Sequence, residues 1–351
     1  MGHVGLDRRR YHCPSCAAGC CPLDDWAGVG DRSVSPGARR VLTLAGTSWS
    51  FDRAAAHLAE FCHLSVSDDT VERVCQEEGA RAQRWMARAP EPAAAFAAAA
   101  GHAELGADGT MVNTTGGWRE MRLTTLAKRP PAAPCDPAAW GDRVLGEPTV
   151  RFSTCAIADA DHVGAGWARL GKRMRLADEP VVNVQADGAR WIWEQAARRL
   201  PAHNGSWCVD VYHVSQHLHA CGRALLGEGT AAAAAWADGR LMTALRDDGP
   251  ALIRQIEGEA AAEAAGSARR RALDGLLTFL RPNADRMWYR RRLDAGEPIG
   301  SGLIEGGCKN TIAARLKLNN ARWRVRRVER VGTLRCVDAS GQWSNFWKPA
   351  A

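Results

Sequence analysis

No run of about 18 or more apolar residues occurs in the chain, so no segment has the length and hydropathy of a membrane-spanning helix. The opening, MGHVGLDRRRYHCPSC, lacks the apolar stretch of a secretory signal, and the expected compartment is therefore the cytoplasm. A disulfide framework is also missing. Most of the 12 cysteines are scattered singly through segments that read as core, and in a reducing compartment they are thiols or metal ligands. Acidic residues are almost absent from one long stretch. Between Lys309 and Arg335 only Glu329 opposes Lys309, Arg315, Lys317, Arg322, Arg324, Arg326, Arg327, Arg330 and Arg335.

What is present fits a soluble globular protein: 46% hydrophobic and 24% charged residues, with 351 residues to build about two or three domains. The net charge of +7 is modest, but the basic cluster at 309–335 suits a phosphate-rich partner. A solvated basic helix face would read the same way.

The N-terminal segment, 1–30, is Cys-rich. Cys13 and Cys16 form a CxxC pair, with Cys20 and Cys21 following. Four soft ligands in a short loop could hold one tetrahedral Zn2+. The spacing is not that of the usual zinc knuckle, and a second ligand pair could lie upstream or be absent. Residues 31–100 read as helical. Pro36 opens one helix, a second carries Ala54, Leu58 and Phe61 on one side, and SVSDDT caps a third. Helix, short turn and capped helix is the outline of a helix-turn-helix, although any helical hairpin shares it. Beyond residue 100 the pattern changes. A strand runs into Asp108, Gly116 and Gly117 mark a hairpin turn from which WREMRLTTL returns, and VRFSTCAIAD is a third strand. After a helix come a strand ending on Asp187, a second helix and the short strand SWCVDVYH through Asp210. Residues 230–296 are helical. A helix bearing Glu305 then leads into the basic tail of 297–351. The class expected is α/β, with 101–229 as the first part of a core and 230–296 as a helical insertion.

Three carboxylates stand out. Asp108 and Asp187 are each followed by glycine at a strand end, where a ligand can approach closely, although Asp-Gly is also a common turn dipeptide. Glu305 lies among Gly300, Gly302, Gly306 and Gly307, a setting too small and apolar for an ordinary surface glutamate. Three hard oxygen donors of this kind suit a pair of Mg2+ (or Mn2+) ions, which at about 4 Å separation can serve both ends of a phosphoryl displacement. A second cluster lies in CVDVYHVSQHLHACG. On a helix, Asp210, His213 and His217 would share a face and could hold zinc.

Five stretches taken in order, ADGTMVNTTGGWREMRL, VQADGARWIWEQA, CVDVYHVSQHL, PIGSGLIEGGCKNTIAARLK and RWRVRRVERVGTLRCVDASGQWSNFW, resemble the ISKra-type family of bacterial insertion-sequence DDE transposases, related to the Mutator-like group. The resemblance covers most of residues 40–347. It implies a ribonuclease-H-like catalytic core with an inserted helical domain, preceded by a helix-turn-helix-like region. Asp108, Asp187 and Glu305 become the catalytic and metal-binding triad. Asp210 and His213 match that group's C/D(2)H signature and become a supporting pair near the metals.

The activity implied is metal-dependent cleavage and strand transfer at element ends, on double-stranded DNA comprising terminal inverted repeats and target. The enzyme would act as a homo-oligomer in a synaptic complex, in the bacterial cytoplasm and associated with the nucleoid. Lys309, Arg315, Lys317, Arg322 and Arg324 would bind phosphates. Trp323 and Trp288 would stack on an unpaired base, or else serve as packing anchors. The family's chains commonly carry further N-terminal cysteine-bearing sequence, so a truncated or co-opted DNA-binding protein is one alternative. A zinc-dependent hydrolase centred on Asp210, His213 and His217 is the other.

Overall fold

The computed structural model describes residues 5, 7–27, 34–201 and 205–348. Parts of the expected Cys-rich element and the end of the basic tail thus fall outside the described residues. Along the chain come the short strands β1 (Tyr11–His12) and β2 (Gly19–Cys20), then helices α1 (Pro22–Ala27), α2 (Pro36–Ser48), α3 (Phe51–Cys62), α4 (Asp68–Arg88) and α5 (Glu91–Ala98). Strands β3 (His102–Thr114), β4 (Gly117–Arg129) and β5 (Val150–Ala156) follow, then helix α6 (Ala160–Arg173), strand β6 (Val182–Ala186), helix α7 (Arg190–Arg199), strand β7 (Gly205–Val209) and helix α8 (Val211–Leu226). The remaining α-helices are α9 (Ala231–Ala262), α10 (Ala268–Leu280), α11 (Tyr289–Asp294), α12 (Gly302–Gly307), α13 (Ala314–Leu316), α14 (Val325–Ala339) and α15 (Trp343–Phe346). The protein is mixed α/β, with the element order its sequence periodicities lead one to expect.

Five strands form one mixed sheet in the order β5-β4-β3-β6-β7. A loop of two residues, Thr115 and Gly116, joins β3 to β4, and so short a loop can connect only antiparallel strands. β5 is antiparallel to β4, while β6 pairs parallel to β3 and β7 parallel to β6. All five residues of β6 are buried, as expected of a strand flanked on both sides in a parallel ladder. Its two polar side chains therefore demand partners. Asn183 finds them in Arg292 and Glu297.

The chain divides into two compact units. One comprises Met1–Ala89, Val112–Arg119 and Thr311–Ala351, and the other Pro90–Met111 and Glu120–Asn310. The first is helical. Ser35 caps α2, whose first residue is Pro36, and Ser67 caps α4 through the Thr70 amide, both as the sequence signals. Ala54 and Leu58 of α3 are buried, but Phe61 is 69% exposed and does not join them. In the same unit the Arg39 guanidinium meets Glu78 at 2.6 Å with both side chains buried.

The second unit holds the body of the sheet. α8, α9 and α10 pack on one another, and α9 breaks at Asp248 (φ 67°), two residues before Pro250. Near the end of this unit, buried Arg292 donates to the Pro298 carbonyl (2.9 Å), Ser206 Oγ (2.6 Å) and Asn183 Oδ1 (3.0 Å). The Ile299 carbonyl accepts the Val211 N–H at 3.0 Å. These bonds fix the segment that enters α12 against the start of α8.

Candidate functional site

Parallel strands β6 and β7 stop one residue short of aspartates. Gln185 pairs with Cys208 and Ala186 with Val209, so the next step of the register sets Asp187 beside Asp210. On the other side Gly106 pairs with Gln185, and the same count brings Asp108 level with Asp187. Three aspartates thus stand in a row across three neighbouring strands, about 5 Å from strand to strand. Asp108 is not at a strand end, as its sequence setting suggests. β3 continues to Thr114, and Asp108 lies just beyond the last residue pair of its ladder with β6. The reason is the length of the hairpin, whose arms outrun the parallel strands.

α12 brings Glu305 to this row. A Cβ on Gly106 would come within 2.9 Å of Ile304 Cβ, and one on Gly307 within 2.9 Å of Leu123 Cδ2. The helix therefore rests directly on the strands, and two glycines make that approach sterically open. Gly302 and Gly306, by contrast, have open space around them.

Asp210 is 1% exposed and fully engaged. Its Oδ1 caps α8 by accepting the Tyr212 N–H at 2.9 Å. Its Oδ2 receives Ser301 Oγ at 2.7 Å and lies 3.0 Å from His213 Nδ1. Ser301 Oγ is also 3.0 Å from Glu305 Oε1, and His213 Nδ1 is 3.8 Å from that oxygen. One ligand atom from each of Asp210, His213 and Glu305 lies within 4.8 Å of the others. Asp108 Oδ1 accepts its neighbour Gly109's N–H at 2.6 Å, and Asp187 Oδ1 accepts the Ala189 N–H at 2.8 Å.

The electrostatics bind these groups together. Burial pushes Asp108 above its ordinary value, and the charge of Asp187 adds to the push, against hydrogen bonds from Gly109 and Cys308. Glu305 is also raised, first by desolvation and then by Asp210, while Ser301 works against the rise. For Asp210 burial alone would raise the value, but hydrogen bonds from His213, Ser301 and Tyr212 outweigh it and hold the carboxyl low. His213 is raised, chiefly by its hydrogen bond to Asp210, with the charges of Asp187 and Glu305 contributing. The imidazole is thus a cation-forming group set among four carboxylates.

Sequence reasoning singled out those four acids and His213, and the structure gathers all five in one unit. It missed Ser301, which bridges Asp210 and Glu305 from within the quoted GSGLIEGGC, and the Cys308 thiol beside Asp108. The zinc cluster expected from helix spacing loses a member. His217 stacks on Phe279 at 3.8 Å, and Glu305 takes its place beside Asp210 and His213.

Two of the expected DNA contacts are corrected by burial. Arg315 is 2% exposed, donates to the Gly46 carbonyl at 3.0 Å, and packs against the touching rings of Phe51 (4.8 Å) and Trp323 (5.1 Å). It holds its own unit together and presents no charge to a phosphate. Trp323 is 8% exposed, with its indole N–H on the Leu316 carbonyl, so it is a packing anchor. Lys309, Lys317, Arg322 and Arg324 are exposed. Lys309 sits in the π-helical turn Cys308–Ala313 that follows α12. At the N-terminus, Cys13 and Cys16 lie in the turn between β1 and β2 and are exposed, and hydrogen bonds from Cys16 and Ser15 lower the Cys13 thiol. Among the described residues the four N-terminal cysteines do not close into a metal-sized group.

No helix among the described residues is long and apolar enough to cross a membrane. Compared with known proteins, the chain matches no family model and no curated protein sequence.

Proposed function

We propose that the chain is a DDE-type DNA transposase that cuts and joins strands at the ends of an insertion sequence. The observation that carries this reading is the level row of Asp108, Asp187 and Asp210 with Glu305 and His213 closing over it. The strand order supports a ribonuclease-H-like core: an antiparallel meander of three strands, then two strands parallel to the first, with carboxylates just past the parallel ladders.

The donor set fits divalent magnesium or manganese. It is rich in carboxylate oxygen, and burial and mutual repulsion raise Asp108 and Glu305, a crowding of charge that a cation relieves. Asp108, Asp187 and Glu305 would hold the ions, which when bound supply activation of the attacking oxygen and stabilisation of the leaving one. His213, whose protonated form Asp210 favours, would contact a phosphate oxygen of the strand being cut. With Nδ1 on Asp210, Nε2 would be the nitrogen that meets the substrate. Ser301 would hold Asp210 and Glu305 in fixed relation. Lys309, on the turn after α12, is placed to bind a neighbouring phosphate. Double-stranded DNA is the partner, met as a homo-oligomer, with the α2–α4 region reading the terminal repeat.

A second reading, a hydrolase with one zinc ion, draws on the convergence of Asp210, His213 and Glu305. It leaves Asp108 and Asp187 without a task. Cleavage of a labelled duplex carrying the element's own ends separates the readings. The transposase cuts with Mg2+ or Mn2+ and loses the cut in Asp187→Ala and Glu305→Ala while still binding DNA. Binding without cutting by the wild type would mark a co-opted DNA-binding protein. Cutting that survives Asp187→Ala would point to the zinc reading.

A further inference from the structure

Tyr212 is 53% exposed, although it stands between the fully buried Val211 and the half-buried His213. Its ring centroid is 5.3 Å from that of half-buried Trp140, the planes tilted by 51°. The exposed tyrosine and the half-buried tryptophan together offer an aromatic, mostly apolar surface. The surface lies beside the acidic row. The Tyr212 N–H is bonded to Asp210 Oδ1, so the ring's own backbone is tied to a site carboxylate. A Cβ built on Gly300 would lie 3.1 Å from Tyr212 Cε2 and 3.4 Å from Asp210 Oδ1, so one carbon position touches both ring and carboxylate. Gly300 thus packs closely against that edge of the ring and leaves its faces clear of a side chain at that position.

We infer that Tyr212 and Trp140 form a stacking subsite for an unpaired nucleobase flanking the phosphodiester that is cut. The inference rests on the DNA-cleavage reading above and adds a ligand position to it. Cations suit phosphates, whereas a π surface beside a phosphodiester-cutting site suits the neighbouring base, whose face becomes free when the base is unpaired and leaves the stack. Of the two tryptophans singled out from sequence for this task, Trp323 is buried, while Trp288 is 39% exposed with its indole N–H on the Asp285 carbonyl; Tyr212 is preferred for its tie to the site carboxylate Asp210. Tyr212 is a positioning residue in this scheme. It orients the strand and exchanges no proton.

The test uses the full chain and a forked duplex with 2-aminopurine as its first unpaired nucleotide, in Ca2+. Binding is followed by anisotropy and stacking by quenching of the 2-aminopurine. The wild type and Tyr212→Phe should quench the probe. Tyr212→Ala and Trp140→Ala should lose the quench and bind the fork about tenfold more weakly, while holding a blunt duplex unchanged. An abasic nucleotide at that position should make the wild type and Tyr212→Ala equal. Quenching that persists in Tyr212→Ala, or wild-type binding without quenching, overturns the subsite alone. Failure of the wild type to bind either duplex overturns the DNA reading on which it rests. Tyr212→Phe keeps the ring and guards against a fold effect.

Discussion

Asp187 and Asp210 stand side by side at the ends of neighbouring parallel strands, and the Asp210 N–H donates to the carbonyl of Ala186, the residue before Asp187, at 2.8 Å. That single bond extends the β6–β7 ladder by one step and sets the spacing of the site. Asp210 is then free to cap α8 with one oxygen and to hold Ser301 and His213 with the other.

Ser301→Ala removes a donor from a carboxylate that is 1% exposed. Leaving a buried acceptor short of one partner costs about 1–3 kcal/mol. Denaturant unfolding should show a lower midpoint at unchanged slope, and end cleavage should slow because Glu305 loses its tie to Asp210. An unchanged midpoint would show that Ser301 is not a bridge.

The raised groups give stability a definite dependence on pH. Asp108 and Glu305 have ordinary values of 3.8 and 4.5 and are raised in the fold, so their contribution is complete below those values and lost as pH rises through the folded ones. His213 behaves alike from 6.5 upward. Asp210 is lowered, and its contribution is present above 3.8 and lost as pH falls through its folded value. Without divalent cation, stability should therefore decline from mildly acid to alkaline pH. Mg2+ should offset the carboxylate part, raising the melting temperature more at pH 8 than at pH 5. Asp108→Asn should stabilise the cation-free protein at pH 8 and blunt the response to Mg2+. A Mg2+ effect of equal size at both pH values would contradict this.

Arg315 and Lys309 should separate cleanly. Burial pushes Arg315 down to about 10, and its guanidinium packs against two aromatic rings. Arg315→Ala should cost about 2–4 kcal/mol, seen as a lower unfolding midpoint. Lys309→Ala should leave the midpoint unchanged, weaken DNA binding at all sequences and reduce the salt slope by about 1. The reverse pattern would restore Arg315 as a phosphate contact.

The difference between these two residues shows what the sequence carries. Both sit in one basic stretch, and charge alone does not reveal that one side chain is buried against Phe51 and Trp323. Hydrophobic periodicity placed the strands and helices because each element buries one face. It did not give the length of β3, because the hairpin's outer half shows the same alternation as the half that pairs with β6. Asp187 and Asp210 were legible because each follows a short apolar strand. The row they form with Asp108 was not, since register is a relation between segments distant in sequence. Tyr212 was hidden within its own motif: its N–H bond to Asp210 and the close approach of Gly300 set its ring beside the carboxylate.

Where the metal goes tests the account most directly. Mn2+ binding, counted from the electron paramagnetic resonance of the free ion, should be measured for the wild type, Asp108→Asn, Asp187→Asn and His213→Ala. The account expects binding to fall sharply in both aspartate variants and to persist in His213→Ala. Full binding in Asp108→Asn and Asp187→Asn, with loss in His213→Ala, would place the ion on Asp210, His213 and Glu305 and contradict the triad.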